Sequence, residues 1–332
     1  MNTSTSQMCK RCVLTTAVPR IALDAEGVCN VCREYDARKT QYDLYFKTEG
    51  DLTALLNSSH RPEAPYDVLA MYSGGKDSTY LLCRLVEMNQ RVLALTFDNG
   101  YVPQQCFDNI QAVCTSLGVQ SVVVSVQKEK MDEVFALSLK RQNTVCSGCF
   151  RALTARGTEL AVEKGIPVVM TGLSRGQIFH TKVHPLLSNG ITDPNQIDEN
   201  LNMFREMYHS AKDRIATLVD DRALLNRKAF QDTRFVDFFR YVSVTKKSIF
   251  DLICERVPAW KLPENVGACS SNCLINDVGI QVHLERTGYH NYAIPVSWDI
   301  RFGHITRDAA VEELDSELDT SKVRGILKAI GL

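Results

Sequence analysis

The run Ser73-Gly-Gly-Lys-Asp-Ser78 packs two glycines, a cation, a carboxylate and two hydroxyls into six positions. That mixture suits an anion. Glycines let backbone N–H groups approach phosphate oxygens closely, and Lys76 supplies positive charge. Tyr66–Tyr72 before it reads as a short buried strand, and Thr79–Asn89 after it as a helix with Tyr80, Leu81, Leu85 and Met88 near one face. Strand, glycine turn and helix together point a helix N-terminus at the ligand. The spacing is not that of a Walker A loop, which would need Gly at Ala70 and Ser or Thr at Asp77. A carboxylate in the first helical turn would repel a γ-phosphate unless Mg2+ stands between them.

Twelve cysteines carry the second chemistry. Cys9-Lys-Arg-Cys12 and Cys29-Asn-Val-Cys32 are two CxxC knuckles separated by sixteen residues. That spacing can bring four thiolates around one tetrahedral Zn2+; two redox pairs are the competing reading. With every position filled by protein, such a zinc is structural and leaves no place for substrate. Downstream lie Cys146-Ser-Gly-Cys149 and Cys269-Ser-Ser-Asn-Cys273. On spacing alone, Cys146 and Cys149 suit a redox dithiol, half of a second zinc site or two packed thiols. Cys83, Cys106, Cys114 and Cys254 sit singly in helix-like stretches and are expected to be buried and inert.

These groups need a frame, and the pattern of elements supplies one. Strand-like Arg91–Phe97, Ser121–Val126 and Ile166–Met170 alternate with helix-like Gln104–Leu117, Asp132–Lys140 and Phe150–Lys164. Such alternation predicts an α/β fold with a doubly wound parallel sheet. Ligands of these sheets bind outside the carboxyl ends of the strands. The Ser73–Ser78 turn, Asp98 and Thr171-Gly-Leu-Ser-Arg-Gly-Gln177 should therefore meet in one crevice. Arg175 would be available there to a phosphate.

Residues 195–228 are polar and helix-rich, as in an inserted lid. A strand over Arg240–Val244 and a helix over Lys246–Glu255 return to the core, and Thr306 reads as the N-cap of a tail helix. The expected division is 1–50 zinc ribbon and linker, 51–185 nucleotide-binding core, 186–240 helical insertion, and 241–332 return to core with C-terminal helices.

A net charge of −1 and 45% hydrophobic residues describe an ordinary globular chain. They remove the broad basic field of a protein held mainly by nucleic-acid phosphates. No apolar run reaches the roughly 18 residues of a membrane span, and no leader is evident, so a cytoplasmic protein is expected.

The Ser73–Ser78 sequence resembles the signature of the PP-loop ATP pyrophosphatases, the adenine nucleotide alpha-hydrolase-like superfamily. The resemblance implies ATP cleavage between the α- and β-phosphates, with an acceptor oxygen adenylated and then displaced by sulfur or nitrogen. It implies that Ser73, Gly74, Gly75, Lys76, Asp77 and Ser78 hold the phosphates, with Lys76 and Asp77 acting in catalysis and Asp77 on Mg2+. By the same resemblance Thr96, Phe97, Asp98 and Gly172 hold the adenosine.

Two branches of the superfamily are similar to this chain in different places. Pro19-Arg-Ile, Gly27-Val-Cys-Asn-Val-Cys32 and Trp298-Asp-Ile-Arg-Phe-Gly-His-Ile-Thr-Arg307 resemble the N-acetyl sugar amidotransferases, which take ammonia from a partner glutaminase. The middle of the chain resembles tRNA thiolases whose three cysteines hold a 4Fe–4S cluster. Here the resemblance implies Cys146, Cys149 and Cys273 as ligands, with Cys269 the alternative third, and Arg151 and Arg156 orienting the adenylate. Where those thiolases have acidic residues, this chain has Ser174-Arg-Gly-Gln177. With no added RNA-binding domain in view, a small-molecule acceptor is preferred over tRNA, alongside a sulfur donor. Ribbon and tail are compatible with a homodimer.

Overall fold

A computed structural model describes residues 6–210, 213–219, 232–264, 269 and 272–332. Its centre is a parallel sheet of five strands: β1 Val68–Met71, β2 Val92–Asp98, β3 Gln120–Ser125, β4 Val168–Thr171 and β5 Arg234–Asp237, in the order β3-β2-β1-β4-β5. The chain grows from β1 to one side through β2 and β3, then returns to the other side of β1 for β4. The order therefore reverses at β1, and a crevice must open at its carboxyl end.

The strands are continuous apolar runs because helices cover both faces. Val68, Ala70, Val92, Ala94, Val168 and Met170 belong to one buried cluster, and Leu69, Leu93, Leu95 and Val169 to another. Helices α3 Lys76–Glu87, α4 Gln104–Leu117, α5 Lys128–Gln142 and α6 Cys146–Glu163 are the crossovers. At the entry to β1 and β2, Asp67 accepts from the Arg91 guanidinium at 2.7 and 3.0 Å and from the Arg91 amide at 2.9 Å, which fixes their register.

The α/β alternation expected from sequence is present. One strand lies elsewhere than expected: Arg240–Val244 is no strand, and Arg234–Asp237 pairs with β4 instead. Arg240 and its neighbours are buried for a different reason. The Arg240 carbonyl accepts from Lys47 N at 3.0 Å, and its guanidinium lies over Tyr45, in the linker after helix α1, Asn30–Asp43. Cys254 is exposed rather than buried, since Ile249 and Ile253 form the inner face of its helix Lys246–Arg256. Cys83, Cys106 and Cys114 are buried as expected.

The polar stretch after β4 is helical at Pro194–Ser210 and Arg214–Val219. Residues 211–212 and 220–228 of the expected insertion lie outside the described residues. Thr306 caps the helix Arg307–Leu314 through Ala309 N. Among the described residues, no helix is long and apolar enough to cross a membrane.

Gly74 has φ +75°, and a Cβ there would stand 2.6 Å from the Cys106 carbonyl oxygen. Gly118, the C-cap of α4, has φ +66° with nothing within 4 Å of such a Cβ. Gly118→Ala should cost only the left-handed strain, about 1–2 kcal/mol. Gly74→Ala adds a backbone overlap and should lower the thermal midpoint further; equal midpoints for the two variants would refute that difference.

Candidate functional site

The turn after β1 is held by its hydroxyls and carbonyls, with Ser73 N donating to Ser78 Oγ at 3.2 Å and Gly75 N to Ser73 Oγ at 3.4 Å. Ser73 Oγ and Ser78 Oγ lie 3.0 Å apart, Ser78 Oγ donates to Gly75 O at 3.1 Å, and Thr79 Oγ1 donates to the same oxygen at 2.9 Å. Gly74 O accepts from Trp260 Nε1 at 2.9 Å and from Asn109 Nδ2 at 3.2 Å. Asn109 in turn receives Lys261 N at 2.9 Å, tying the segment after Val257 to α4. Gly75 is the N-cap of α3 and offers no side chain, so the first-turn N–H groups have no cap. An anion is the partner that end lacks.

Lys76 is buried and its Nζ stands 3.1 Å from Asp77 Oδ2. Burial alone would neutralise both. Their mutual attraction prevails: the Lys76 pKa is raised by Asp77 and Glu313 against desolvation, and the Asp77 pKa is lowered by Lys76, His304 and Lys246 against desolvation. Asp77 Oδ1 is buried and without a hydrogen-bond partner. A hard cation such as Mg2+ fits that oxygen, because it prefers carboxylate ligands and would complete an otherwise unsatisfied acceptor.

The carboxyl end of β4 forms the facing wall. A Cβ on Gly172 would lie 3.4 Å from Ser78 N and from the Asp77 carbonyl carbon, so this residue backs directly on the first turn of α3. The turn that follows is capped by Ser174 and clamped by Asp299, which accepts from Ser174 Oγ at 2.8 Å and Gly176 N at 2.7 Å. Burial raises the Asp299 pKa, while His304 and these donors act against it.

The three downstream cysteines meet at the end of β2. Asn99 Nδ2 donates to Cys149 Sγ at 3.6 Å and to Cys273 Sγ at 3.4 Å. Cys146 packs in the same apolar cluster, beside Phe97 and Tyr101. Burial pushes the Cys146 thiol up to about 12, with the nearby Cys273 adding to it; Cys149 and Cys273 are raised for the same first reason. Cys269 lies apart. Its Sγ donates to Glu313 O at 3.8 Å, within the field of Lys246 and Lys76, and burial raises it to about 12. The Tyr292 hydroxyl donates to Asn276 Oδ1 at 2.8 Å, and burial raises its pKa, with Cys146, Cys269, Cys273 and Glu313 adding to it.

In the N-terminal segment, Cys9, Cys12, Cys29 and Cys32 are buried with their four sulfurs within 4.8 Å of one another. Cys12 and Cys29 sulfurs are 3.7 Å apart and those of Cys9 and Cys32 are 4.0 Å apart. Tetrahedral zinc with bonds of 2.3 Å implies about 3.8 Å between sulfurs. Backbone N–H groups of Arg11 and Cys29 donate to Cys9 Sγ at 3.3 and 3.2 Å. The thiolate set therefore fits a single thiophilic ion such as Zn2+.

The expected residues separate into groups. Ser73–Ser78 and Gly172 come together, as do Cys146, Cys149 and Cys273. Thr96 Oγ1 donates to Tyr72 O at 2.8 Å, Phe97 packs in the cysteine cluster, and Asp98 Oδ1 accepts from Gly100 N at 2.8 Å. Arg175 does not turn toward the phosphate loop: its Nε donates to Phe239 O at 2.9 Å, and its guanidinium lies over the Phe46 ring. Arg151 pairs with Asp213, and Arg156 with Glu159 and the Val219 carbonyl; both hold the helical insertion. Sequence reasoning missed Asn99, Asn109, Trp260 and Asp299. Asp299 stood inside the Trp298–Arg307 motif and Asn99 directly follows Asp98, whereas Asn109 and Trp260 gave no signal.

Comparison with known proteins agrees with the turn. Residues 67–148 match the family model of the queuosine biosynthesis protein QueC. Over 60 residues the chain is 40% identical to a 7-cyano-7-deazaguanine synthase of Alteromonas mediterranea, spanning 18% of this chain and only 28% of that enzyme. It is 20% identical over 327 residues to an uncharacterised protein of Methanocaldococcus jannaschii, 98% of one chain and 99% of the other. Looser likenesses exist to solved structures. One is a U34-tRNA thiolase of Methanococcus maripaludis with its 4Fe–4S cluster (14% identity, TM-score 0.40, 98% of each chain). Another is an NMN synthetase of Francisella tularensis (14% identity, TM-score 0.40, 84% of this chain and 97% of that one). Both the family match and the 40% identical stretch are partial, and residues 67–148, with the Ser73–Ser78 turn among them, are similar to this family of PP-loop ATP pyrophosphatases.

Trp260→Phe keeps an aromatic ring and removes one donor from Gly74 O. It should cost about 1 kcal/mol of stability and weaken binding of ATP analogues. Calorimetric titration with unchanged affinity would show that this carbonyl clamp does not hold the turn.

Proposed function

We propose that the chain is an ATP-dependent sulfurtransferase. What carries the reading is the Asn99 bridge: one amide donates to both Cys149 and Cys273, with Cys146 in the same cluster, beside the strand that leads to the phosphate turn. ATP with Mg2+ lies across the Ser73–Ser78 turn, its phosphates on the uncapped N-terminus of α3 and its adenosine against Thr96, Phe97, Asp98 and Gly172. Asp77 holds the cation through its unpartnered oxygen. A carbonyl oxygen of the acceptor attacks the α-phosphorus, and the bond to the bridging oxygen breaks to release pyrophosphate. Lys76 balances the negative charge that gathers on the phosphoryl oxygens. Inorganic sulfide then adds to the activated carbon, AMP leaves with the acceptor's oxygen, and a thiocarbonyl remains.

Cys146, Cys149 and Cys273 would hold a 4Fe–4S cluster, which supplies an iron able to bind and release sulfur. Their placement in one buried cluster, with a side-chain N–H aimed at two sulfurs, is the environment such a cluster uses. Cys269 instead donates to the Glu313 carbonyl at 3.8 Å, which supports Cys273 as the third ligand. The four N-terminal cysteines hold a structural zinc. The acceptor is a small molecule rather than tRNA. An ammonia-dependent amidotransferase would use the same adenylation and would leave Cys146 and the two thiols that Asn99 bridges without a task.

Lys76→Ala and Asp77→Ala should each reduce pyrophosphate release at least a hundredfold in a coupled assay; normal turnover would refute the ATP chemistry. After anaerobic purification and reconstitution, iron and acid-labile sulfide should appear in the wild type and be lost in Cys146→Ser and Cys273→Ser. Zinc alone, with no iron in any sample, would replace the sulfur reading with amidation.

A further inference from the structure

The segment Trp298–Arg307 touches both the cysteine ribbon and the nucleotide crevice. Arg301 Nη2 donates to Cys12, Cys29 and Cys32 sulfurs at 3.4, 3.7 and 3.3 Å. Two residues earlier on the same helix, Ala293–Arg301, Asp299 clamps the turn after β4 through Ser174 Oγ and Gly176 N. The helix and that turn are in direct contact: a Cβ on Gly176 would stand 2.1 Å from Pro295 O. Beyond the helix, His304 acts on both Asp77 and Asp299, and its Nδ1 is 2.7 Å from Val244 O. Arg307 reaches back to the ribbon, donating to Cys9 O at 3.3 Å.

We infer that Arg301 and Asp299 couple the two sites, so that an ion in the ribbon sets the position of the turn lining the nucleotide crevice. The physical reason is charge. Four thiolates around a divalent ion carry a net negative charge, and an N–H donor reaching three of the sulfurs offsets it. Without the ion nothing holds the four sulfurs together, so Arg301 loses the gathered set that its fork reaches, and the short helix that carries it also carries the Asp299 clamp. Arg301 and Asp299 are positioning residues; neither touches the phosphate turn. This inference rests on the reading of the crevice as an ATP site and of the ribbon as a metal site.

The experiment is a reciprocal titration on the full chain. A non-hydrolysable α,β-methylene analogue of ATP with Mg2+ is titrated calorimetrically into zinc-loaded and chelator-stripped protein. Zinc affinity is measured by competition with a chromophoric chelator, with and without the analogue. Stripping should weaken analogue binding about tenfold, and the analogue should tighten zinc by the same factor, as linkage requires. Arg301→Lys, which keeps the charge and loses the fork, should lower zinc affinity about tenfold and analogue affinity with it. Asp299→Asn should weaken the analogue, leave zinc affinity of the free protein unchanged, and abolish the coupling.

Hydrogen exchange at the Gly176 amide gives a readout that needs no nucleotide: its protection should fall on stripping while the sheet amides stay protected. Analogue affinity independent of zinc, coupling retained in Asp299→Asn, or Gly176 protection unchanged on stripping would each overturn the inference. Failure of the analogue to bind zinc-loaded wild type would instead overturn the ATP reading, and the Gly176 exchange would still decide the coupling.

Discussion

A helix N-terminus that binds phosphate has to keep its amides unsatisfied, and everything around the Ser73–Ser78 turn follows from that constraint. Several of the described helices cap themselves: Thr48, Ser174, Thr245 and Thr306 each return a side-chain oxygen to the first turn. At Gly75 there is no such oxygen. The turn must therefore be held from outside, and it is held by its carbonyls. Gly74 O takes two side-chain donors and Gly75 O takes two hydroxyls. The oxygens are tied down while the first turn of α3 stays without a side-chain cap, and the position of β1 at the reversal of strand order opens the space in front of it.

A buried lysine beside a buried aspartate is costly for the fold unless each offsets the other. Here Lys76 and Asp77 are adjacent in sequence and within 3.1 Å, so the pair is satisfied in part, and one carboxylate oxygen is left over. An incomplete pair in a crevice is the mark of a site that expects a charged ligand. The same holds on a larger scale for the thiols. Seven of the twelve cysteines fall into two spatial groups, one tight enough for a single ion and one gathered loosely around an amide donor. The first group builds the ribbon; the second stands one strand away from the phosphate turn.

The C-terminal segment links these parts. Trp298 packs among Tyr35, Tyr42, Phe179 and Phe302, so the ribbon helix, the segment after β4 and the tail share one aromatic cluster. The polar residues on the same stretch then reach outward to the turn after β4 and to the ribbon sulfurs. Rigid packing at Trp298 is what lets two short polar contacts, made on either side of it, be held in register with each other.

Much of this was legible in the chain itself. The turn Ser73–Ser78, the two CxxC knuckles and the alternation of β-branched runs with amphipathic helices are local patterns, and local patterns fix local structure: α4 begins and ends where its periodicity does, at Gln104 and Leu117. The choice between Cys269 and Cys273 was not local. Four residues apart in sequence, they face different neighbours, and only the approach of Asn99 from the end of β2 separates them. The same is true of β5, whose apolar content is too slight to mark a strand and whose pairing is decided by the open edge of β4. Arg175 looked free for phosphate in the sequence, yet Phe46 and the Phe239 carbonyl claim it. Spacing along the chain determines which groups are at hand; which of them face each other depends on contacts between residues far apart in sequence, as Asn99 is from Cys273, and those exist only once the sheet has closed.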